Sequence, residues 1–399
     1  MSIRDKNIVL GITGGIAAYK ACELIRLMAK SGANVNVIMT KGAAEFVTPL
    51  TLQTLSRNPV HTDLFSLTQE AEVGHISLAD RADLFVIAPA TANVIGKIAG
   101  GIADDLLTTT VMATRAPVLL APAMNCNMYG NLIVQENMDK LKGYGYNFID
   151  SETGELACGY EGKGRMAEPG DIMEEIETIL SPKDLKGERI VVTAGPTYEA
   201  IDPVRFIGNR SSGKMGYALA RMALRRGAEV TLISGPSSLL SPRGARFISV
   251  ESAEEMSKAV TANLKDATIV IMAAAVADYR PKKAASEKLK KGAVSISLDL
   301  EKTEDIISEI GRRKRKRLII GFAAETNNLW ANAKKKLKEK NLDLIIANNV
   351  KEPGAGFGVD TNIVTILDKN GIIEELPKVS KDAVAWKVLD RVASLKVIY

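Results

Sequence analysis

Short apolar runs rich in β-branched residues alternate with longer stretches of helical spacing along the whole chain. In the first half this pattern predicts strands at 8–12, 35–39, 84–88 and 118–121. In the second half it predicts strands at 189–193, 230–234, 267–273, 318–322 and 344–347, with helices such as 214–226 and 328–340 between them. Strands that alternate with helices are typical of a parallel sheet covered by helices. The pattern therefore predicts an α/β protein with two Rossmann-like domains.

The pattern restarts after residue 187. Ser181 and Pro182 follow a helical run at 171–180, and proline blocks helix continuation because it lacks the backbone N–H. The stretches 7–15 and 189–197 are then alike, since each is a short strand that runs into a glycine turn. We predict one domain at 1–180, a linker at 181–187 and a second domain at 188–399, and we interpret the linker as a hinge between two active sites.

Composition narrows the class of protein only slightly. The chain has 399 residues, of which 46% are hydrophobic and 25% charged, as in ordinary globular proteins. Its net charge of +5 does not by itself indicate nucleic acid or a membrane. The three cysteines, Cys22, Cys126 and Cys158, are too few for a disulfide framework and favour a reducing, cytoplasmic setting. No apolar run approaches membrane-spanning length, and histidine chemistry is limited to His61 and His75.

The first strand-to-helix turn of the first half is rich in glycine, from Gly11 to Gly15. Free backbone N–H groups at such a turn favour a phosphate. The turn lacks the G-x-G-x-x-G pattern, and the second strand ends in Thr40 rather than in the acidic residue that holds an NAD ribose. The residues therefore favour a mononucleotide phosphate over NAD. A purely structural tight turn that binds no ligand is supported about equally well.

Three further segments of the first half have the composition of binding loops. The small residues at 88–93 allow a flat ring or a phosphate to approach closely, but they also allow close helix packing. The loop 122–129 carries Asn125 between two methionines, which suits an apolar pocket or a merely packed loop. The loop 154–166 is rich in glycine around Cys158, which favours a functional segment over a buried thiol.

The motifs GITGGIAAYKA, PATA, PAMNCNMY and ELACGYEGKGRMAEP, with the segment around His75, resemble the flavin-dependent phosphopantothenoylcysteine decarboxylases. The resemblance covers nearly all of the first half. It departs at Tyr129, where the family usually has tryptophan, and we expect a similar flat aromatic role there. It implies an FMN cofactor bound by Gly11, Thr13, Gly14, Gly15, Thr40, Pro89, Ala90, Thr91 and Met124.

The same resemblance implies a reaction in which a flavin is needed although no net redox change occurs. Oxidation of the cysteine CH₂–SH to a thioaldehyde creates an electron acceptor beside the carboxylate, CO₂ leaves, and the enethiol is then reduced. By resemblance, His75 is the active-site base, Asn125 holds the substrate carboxylate and Cys158 donates the proton in the final reduction.

The second half contains a stretch at 208–215 that nearly matches the P-loop pattern. Met215 replaces the hydroxyl that would contact Mg²⁺, and the preceding strand ends too early, so we favour an anion-binding turn that opens the helix at Lys214. Asp278 follows a buried strand at the edge where α/β sheets bind ligands, and Phe322 ends another strand where it could stack on a base. The lysine-rich loop 285–292 alone would be a solvated surface segment.

The motifs GPTYEAIDPVR, NRSSGKMG, AAVADYR, SEKLKK, GFAAET and KNLDLIIANN together resemble the phosphopantothenate–cysteine ligases over almost the whole second half. The resemblance implies CTP and Mg²⁺ and an acyl-cytidylate intermediate, with Lys288 at the α-phosphate and Asn209 at the acyl oxygen during attack by cysteine. Gly208 replaces a serine common in the family, and no metal ligand is identified. The residues implied around CTP are Met272, Ala273, Ala274, Asp278, Lys288, Glu304, Asp305, Ile306, Ile307, Phe322, Lys336 and Lys340.

The two resemblances together predict a bifunctional enzyme of coenzyme A synthesis that uses small-molecule substrates, without nucleic acid or membrane partners. They also imply a homo-oligomer with trimeric decarboxylase contacts and dimeric ligase contacts, a combination that a dodecamer would satisfy. One alternative is a flavoprotein that decarboxylates peptidyl cysteine, but it would not carry the second half. Another is a nucleic-acid-binding protein, which the basic runs at 312–317 and 334–338 suggest; few aromatic residues accompany them, so solvated faces are favoured.

Overall fold

The computed structural model describes residues 3–64, 74–155, 161–290, 297–325, 329–349, 352, 354, 356, 358–371 and 373–396. Internal contacts divide the chain into two compact units, Met1–Ser181 and Pro182–Tyr399. Each unit has its own sheet with hydrophobic clusters on its two faces. The prediction of two α/β halves is confirmed.

The strands described in the first unit are β1 (Asn7–Ile12), β2 (Asn34–Met39), β3 (Val60–His61), β4 (Leu84–Ala90), β5 (Val118–Pro122), β6 (Asn147–Phe148), β7 (Glu152–Glu155) and β8 (Glu161–Arg165). The first six form one parallel sheet in the order β3-β2-β1-β4-β5-β6. This is the order of a doubly wound sheet, whose ligands bind at the carboxyl ends of the strands. β7 and β8 form a separate antiparallel hairpin.

Helices cover both faces of this sheet. They are α1 (Lys20–Lys30), α2 (Lys41–Ala44), α3 (Pro49–Ser56), α4 (Gly74–Arg81), α5 (Ala92–Gly100), α6 (Leu106–Ala113), α7 (Cys126–Tyr129), α8 (Leu132–Gly143) and α9 (Pro169–Leu180). Successive strand residues point to opposite faces, so Leu10 packs in the cluster that holds Leu24 of α1, whereas Val9 packs in the cluster of Ile95 and Leu141. The all-apolar strands are therefore buried on both sides.

The strands described in the second unit are β9 (Arg189–Ala194), β10 (Tyr198–Ala200), β11 (Phe206–Gly208), β12 (Glu229–Ser234), β13 (Arg246–Ser249), β14 (Ile269–Met272), β15 (Tyr279–Pro281), β16 (Leu300–Lys302), β17 (Leu318–Glu325), β18 (Leu344–Asn349), β19 (Thr361–Asp368) and β20 (Ile373–Ser380). The main sheet has the order β13-β12-β9-β14-β17-β18-β19-β20. Its first six strands are parallel in the same doubly wound order, and β19 and β20 continue it antiparallel.

The helices described in the second unit are α10 (Lys214–Arg225), α11 (Ala253–Asn263), α12 (Ile306–Arg312), α13 (Leu329–Glu339) and α14 (Lys381–Lys396). Two short hairpins, β10–β11 and β15–β16, lie outside the main sheet. In the first of them, the rings of Tyr198 and Phe206 stack with their centroids 3.7 Å apart. These hairpins follow the carboxyl ends of β9 and β14, so they border the edge where a ligand would bind.

Much of the predicted linker belongs to the second unit. Leu185 is fully buried in the core of that unit. Asp184 accepts hydrogen bonds from the buried guanidinium of Arg226, which also binds Asp390 at 2.8 Å and lies over the Trp386 ring. The hydrogen bonds from Arg226 lower the pKa of Asp184. The two compact units divide between Ser181 and Pro182, and the hinge role of the linker stays a prediction.

Candidate active sites

A large cavity opens in the first unit at the carboxyl ends of β1, β2, β4 and β5. Its volume is about 1130 Å³, which is enough for a cofactor together with part of a substrate. The residues expected from the sequence that line it are Gly14, Gly15, Thr40, Thr91, Met124 and Asn125. The other expected cofactor residues, Gly11, Thr13, Pro89 and Ala90, are not among the described residues that line it.

Thr13 supports the cavity from behind. It is fully buried, and its hydroxyl donates a 2.7 Å hydrogen bond to the Pro89 carbonyl. The same oxygen accepts a 3.2 Å hydrogen bond from the Thr91 backbone N–H. Thr13 therefore joins the turn after β1 to the turn after β4, and it fixes the start of α5 at the cavity wall.

Gly11 has a packing role in this structure. A Cβ atom at this position would collide with the Leu107 side chain, and Leu107 itself lines the cavity. Gly11 thus leaves room for one apolar side chain of the wall, without itself being part of the cavity surface.

The cavity surface suits a flavin. The start of α5, Ala92 to Val94, lines it, and the first turn of a helix leaves backbone N–H groups without intrahelical acceptors. Such groups bind phosphate. Met39, Leu107 and Met128 add apolar surface on which a flat ring can pack. Because both a phosphate cradle and an apolar wall are present, the residues fit this cofactor.

Three cations that line the cavity, Lys20, Lys97 and Arg165, are paired with carboxylates. Lys97 donates to Asp104 at 2.7 Å and to Asp105 at 3.3 Å, and these bonds, first of all the one to Asp104, raise the pKa of Lys97. Lys20 is buried, and its ammonium lies 2.8 Å from Glu168. The bond from Lys20 lowers the pKa of the Glu168 carboxyl. These ion pairs give the rim a fixed shape rather than a large net charge.

Strand β8 lies directly on the loop that carries Asn125. The Met124 N–H donates a 2.9 Å hydrogen bond to the Gly164 carbonyl. Gly164 has a φ of +146°, and a Cβ there would collide with the Met124 carbonyl oxygen. The Lys163 ammonium lies 5.5 Å from the centre of the Tyr129 ring. Tyr129 is buried and is not among the described lining residues, so its ring supports the loop instead of forming the cavity surface.

The three expected decarboxylase side chains have different positions. Asn125 lines the cavity and caps α7, with its Oδ1 accepting a 2.8 Å hydrogen bond from the Asn127 N–H. His75 lies near the start of α4 and is not among the described residues that line the cavity. Its Nδ1 is buried and has no hydrogen-bond partner among the described residues. Cys158 lies outside the described residues.

In the second unit, two buried threonines connect β9 and its following turn to the turn after β14. Thr193 Oγ1 accepts a 3.1 Å hydrogen bond from the Ala274 N–H, and Thr197 Oγ1 accepts a 2.9 Å bond from the Ala277 N–H. Both threonines are fully buried. They fix the small-residue turn that was expected to border the nucleotide.

Asn209 and Lys288 lie on segments that meet this turn. The Asn209 amide donates to the carbonyls of Ala275 and Val276 at 3.0 and 3.1 Å, so both of its N–H groups are engaged. Lys288 is exposed. The next residue of its loop, Leu289, donates its backbone N–H to the Asp202 carboxylate at 3.1 Å.

Asp202 anchors the β10–β11 hairpin and this lysine loop. Its side chain is buried and accepts backbone N–H groups from Val204 and Arg205 as well as from Leu289. Burial raises the pKa of this carboxyl, but the hydrogen bonds from these three amides, helped by the Arg205 charge, lower it overall.

Glu304 and Asp305, two of the three acidic residues expected at the nucleotide, are already engaged. Glu304 accepts a 2.6 Å hydrogen bond from the Ser257 hydroxyl. Asp305 caps α12 by accepting the Ser308 N–H, and it forms a 2.9 Å ion pair with Lys340. Burial raises the pKa of Asp305, and the bonds from Lys340 and Ser308 lower it overall.

A small second cavity brings together expected and unexpected residues of the second unit. It has a volume of about 80 Å³. Ala273 and Phe322, both expected at CTP, line it together with Lys214 and Lys381. The other residues expected at CTP are not among its described lining residues: Met272, Ala274, Asp278, Lys288, Glu304, Asp305, Ile306, Ile307, Lys336 and Lys340.

Sequence reasoning missed several of these groups. Lys20, Lys97 and Arg165 are ordinary surface-type residues in the sequence, and only the fold brings them to the first cavity. Lys381 opens the last helix, some 170 residues from the glycine-rich turn that it faces, so no local signal could have indicated it. Asp105 did have a local signal, because its capping box with Thr108 marks the start of α6.

Two features of the described residues concern metal ions and membranes. Among the described residues, no cluster of three or more histidine, cysteine, aspartate or glutamate side chains is arranged to hold a metal ion. Within the same part of the chain, no helix has both the length and the apolar character needed to cross a membrane.

Fold and sites define a class: a protein of two doubly wound α/β units, each with a cavity at the carboxyl edge of its sheet. Residues 1–181 match the family model described as "Flavoprotein", and residues 185–395 match the model described as "DNA/pantothenate metabolism flavoprotein C-terminal domain". The expectation of a flavoprotein half therefore agrees with the family model for that half.

Similar proteins extend over the full chain. The coenzyme A biosynthesis bifunctional protein CoaBC of Bacillus subtilis (strain 168) is 51% identical over 397 residues, which are 98% of each chain. The protein of the same name from Escherichia coli (strain K12) is 44% identical over 399 residues, covering 99% of this chain and 98% of that one. A crystal structure of the C-terminal domain of a coenzyme A biosynthesis bifunctional protein CoaBC is 44% identical, covers 54% of this chain and all of the other, and has a TM-score of 0.48. The chain belongs to the family of the coenzyme A biosynthesis bifunctional proteins CoaBC.

Proposed function

We propose that this chain carries out two successive steps of coenzyme A biosynthesis. The second unit joins 4′-phosphopantothenate to cysteine with CTP, and the first unit decarboxylates the product to 4′-phosphopantetheine with FMN. The observation that carries the proposal is the full-length similarity to bifunctional relatives, with both domain models matched in the same chain. The large cavity of the first unit supports a flavin site there.

In the first unit, the bound flavin would supply a reversible hydride acceptor for the carbon that carries the thiol. Asn125 would hold the substrate carboxylate at the cavity wall, where its own Oδ1 is kept in place by Asn127. Cys158 would donate the proton in the final reduction. Because His75 lies outside the cavity of its own chain, its role as a base requires that the proposed trimer brings it to the cavity of a neighbouring copy.

In the second unit, Lys288 would neutralise charge at the α-phosphate while the pantothenate carboxylate attacks CTP. Mg²⁺ would reach the site with the nucleotide. Asn209 would steady the acyl oxygen when cysteine attacks. The Asn209 amide already donates to the Ala275 and Val276 carbonyls. Its proposed role therefore requires that one of these two bonds opens, or that another group of the Asn209 loop contacts the acyl oxygen.

The direct experiment supplies the purified full chain with phosphopantothenate, cysteine, CTP, Mg²⁺ and FMN, and measures phosphopantetheine by mass spectrometry. Omission of CTP should abolish the formation of phosphopantothenoylcysteine. Omission of FMN from flavin-free protein should stop the reactions at phosphopantothenoylcysteine. A full set of reactants that yields neither product contradicts the proposal.

Cys158→Ser tests the proposed proton donor. The variant should still bind flavin and release CO₂ from phosphopantothenoylcysteine, because oxidation and decarboxylation precede the proton donation. It should stop before the saturated thiol, with the flavin left reduced and colourless. Normal yields of phosphopantetheine would show that Cys158 is not the donor.

We also propose a homo-oligomer with trimeric contacts through the first unit and dimeric contacts through the second, which together allow a dodecamer. Exposed apolar side chains on both units support it, among them Leu132 and Tyr144 in the first and Val204 and Phe206 in the second. Light scattering of the purified protein measures the mass directly. The cytoplasmic setting expected from the cysteine count stays a prediction.

A further inference from the structure

The small cavity of the second unit is lined by two lysines from distant parts of the chain. Lys214 is the first residue of α10 and Lys381 is the first residue of α14. Lys381 is 8% exposed, which is rare for a lysine. Ala273, which follows β14, and Phe322, which lies within β17, form another wall of the same cavity.

Each ammonium uses two of its three protons in contacts with described residues. Lys214 donates to the Gly358 carbonyl at 2.9 Å and to the Asp360 carboxylate at 2.6 Å. Lys381 donates to the carbonyls of Val359 and, at 3.2 Å, Thr361. A lysine ammonium carries three protons, so one donor of each side chain is unused among the described contacts.

The charge in the cavity is incompletely balanced. Asp360 pairs with Lys214, but it is not among the described lining residues and its side chain is 87% exposed. Burial, and then the charge of Lys214, lower the pKa of Lys381, while Asp360 acts in the opposite direction. Among the described residues, the hydrogen bonds of the buried Lys381 ammonium go to carbonyls, so an anion beside it would be strongly favoured.

We propose that Lys214 and Lys381 form a phosphate subsite of the ligase unit, which holds a phosphate group of a substrate beside Ala273 and Phe322. The proposal deepens the proposed ligase function and rests on it. A volume of about 80 Å³ suits one phosphate group. The two lysines are additional to Lys288, Lys336 and Lys340, none of which is among the described residues lining this cavity.

Both substrates of the first ligase step carry phosphate, so the phosphate has two sources. The nucleotide tail is favoured, because Ala273 and Phe322 are the residues expected around the nucleotide. The phosphate of phosphopantothenate is the other source. In either case the contact is a charge-assisted hydrogen bond, whose loss costs roughly ten- to a hundredfold in affinity.

The experiment uses the full chain and compares Lys381→Gln and Lys214→Gln with the wild type. Lys387→Gln is the matched control, because Lys387 lies on the same helix α14, pairs with Glu374 and is not among the described lining residues. Binding of inorganic tripolyphosphate is measured by calorimetry at low salt, and KM is measured for CTP and for phosphopantothenate separately.

We expect both test variants to bind tripolyphosphate roughly ten- to a hundredfold more weakly, with the control unchanged. A matching rise in KM for CTP alone assigns the subsite to the nucleotide tail, and a rise for phosphopantothenate alone assigns it to the other substrate. Wild-type affinities in both variants overturn the proposal. So does a fall in Tm and kcat with both KM values and tripolyphosphate binding unchanged, since that pattern would give the lysines a purely structural role.

Two further points keep the result clear. If Lys381→Gln fails to fold because it loses its bonds to Val359 and Thr361, the more exposed Lys214→Gln decides alone. If the wild type makes no phosphopantothenoylcysteine at all, the proposed ligase function fails, whereas the tripolyphosphate titration still tests the anion subsite independently.

Discussion

In both units a threonine at the end of the first sheet strand connects it to the turn after the neighbouring strand. Thr13 bonds to Pro89 and Thr91 in the first unit, and Thr193 bonds to the Ala274 N–H in the second. The strand pairs concerned are β1 and β4 in the first unit and β9 and β14 in the second. Each pair lies side by side at the point where the strand order of its sheet reverses. The same position of the fold, where ligands of such sheets bind, is thus fixed by the same device twice.

The units differ in what surrounds that position. In the first, the turns leave a cavity of about 1130 Å³ where Lys20 and Lys97 are paired with carboxylates. In the second, two hairpins border the edge, and the small cavity there is lined by two lysines and no described carboxylate. The shared scaffold therefore decides where a ligand binds, and the added loops decide whether the site suits a flat cofactor or phosphates.

A pair of variants in the ligase unit gives the sharpest test that the two units carry separate chemistry. Lys288→Gln should block acyl-cytidylate formation, with a loss of roughly a hundred- to a thousandfold in rate, because one electrostatic contact to the transition state is removed. Asn209→Asp should let acyl-cytidylate accumulate, with pyrophosphate released but little CMP.

Both variants should decarboxylate supplied phosphopantothenoylcysteine at the wild-type rate, since that chemistry belongs to the other unit. Measurement of pyrophosphate, CMP and CO₂ covers all three steps. An Asn209→Asp protein that releases no pyrophosphate would instead make Asn209 a holder of the Ala275–Val276 turn.

The second test acts on the first unit alone. Gly164→Ala should displace β8 from the Met124 carbonyl and destabilise the unit by about 1–3 kcal/mol, the usual cost of overpacking. Decarboxylation should fall while pyrophosphate release in the ligase assay is unchanged. Gly143→Ala is the control, because no atom lies within 4 Å of a Cβ at that position. Equal effects of the two substitutions on thermal unfolding and decarboxylation would contradict the packing argument.

The third test compares the two threonines directly. Thr13→Val keeps the shape of the side chain but leaves the Thr91 N–H and the Pro89 carbonyl without their partner, at a cost of about 1–3 kcal/mol for a buried polar group. It should weaken flavin binding, measured by fluorescence titration, while Thr193→Val should weaken CTP binding. If either variant weakened ligand binding by the other unit, the effects of the threonines would not be local.

The smallest effect concerns acid stability of the first unit. The pKa of Glu168 is lowered, first by the hydrogen bond from Lys20. Its contribution to the free energy of unfolding is therefore complete above the unfolded-state pKa near 4.3, and it is lost as the pH falls through the folded-state pKa. Because Glu168 is partly exposed, the contribution should be under about 1 kcal/mol. Glu168→Gln should thus unfold earlier than the wild type at pH 7 and equally at pH 2 in urea titrations.

The sequence alone determined the scaffold, for a local reason. Short β-branched runs such as β1 and β9 cannot form stable amphipathic helices, and the glycine turns after them end each strand at a fixed place. Of the residues that the family motifs indicated, Asn125 and Met124 line the first cavity, and Ala273 and Phe322 line the small cavity of the second unit.

Only the tertiary structure decided which groups of a motif face the ligand and which hold the motif in place. Gly11 and Thr13 belong to one glycine-rich turn in the sequence, yet one makes room for Leu107 and the other bonds to Pro89. Likewise, Lys214 and Lys381 are far apart in the chain and meet because α10 and α14 pack on the same side of the second sheet. Side-chain direction and long-range contact depend on packing between distant elements, and no local pattern of residues records them.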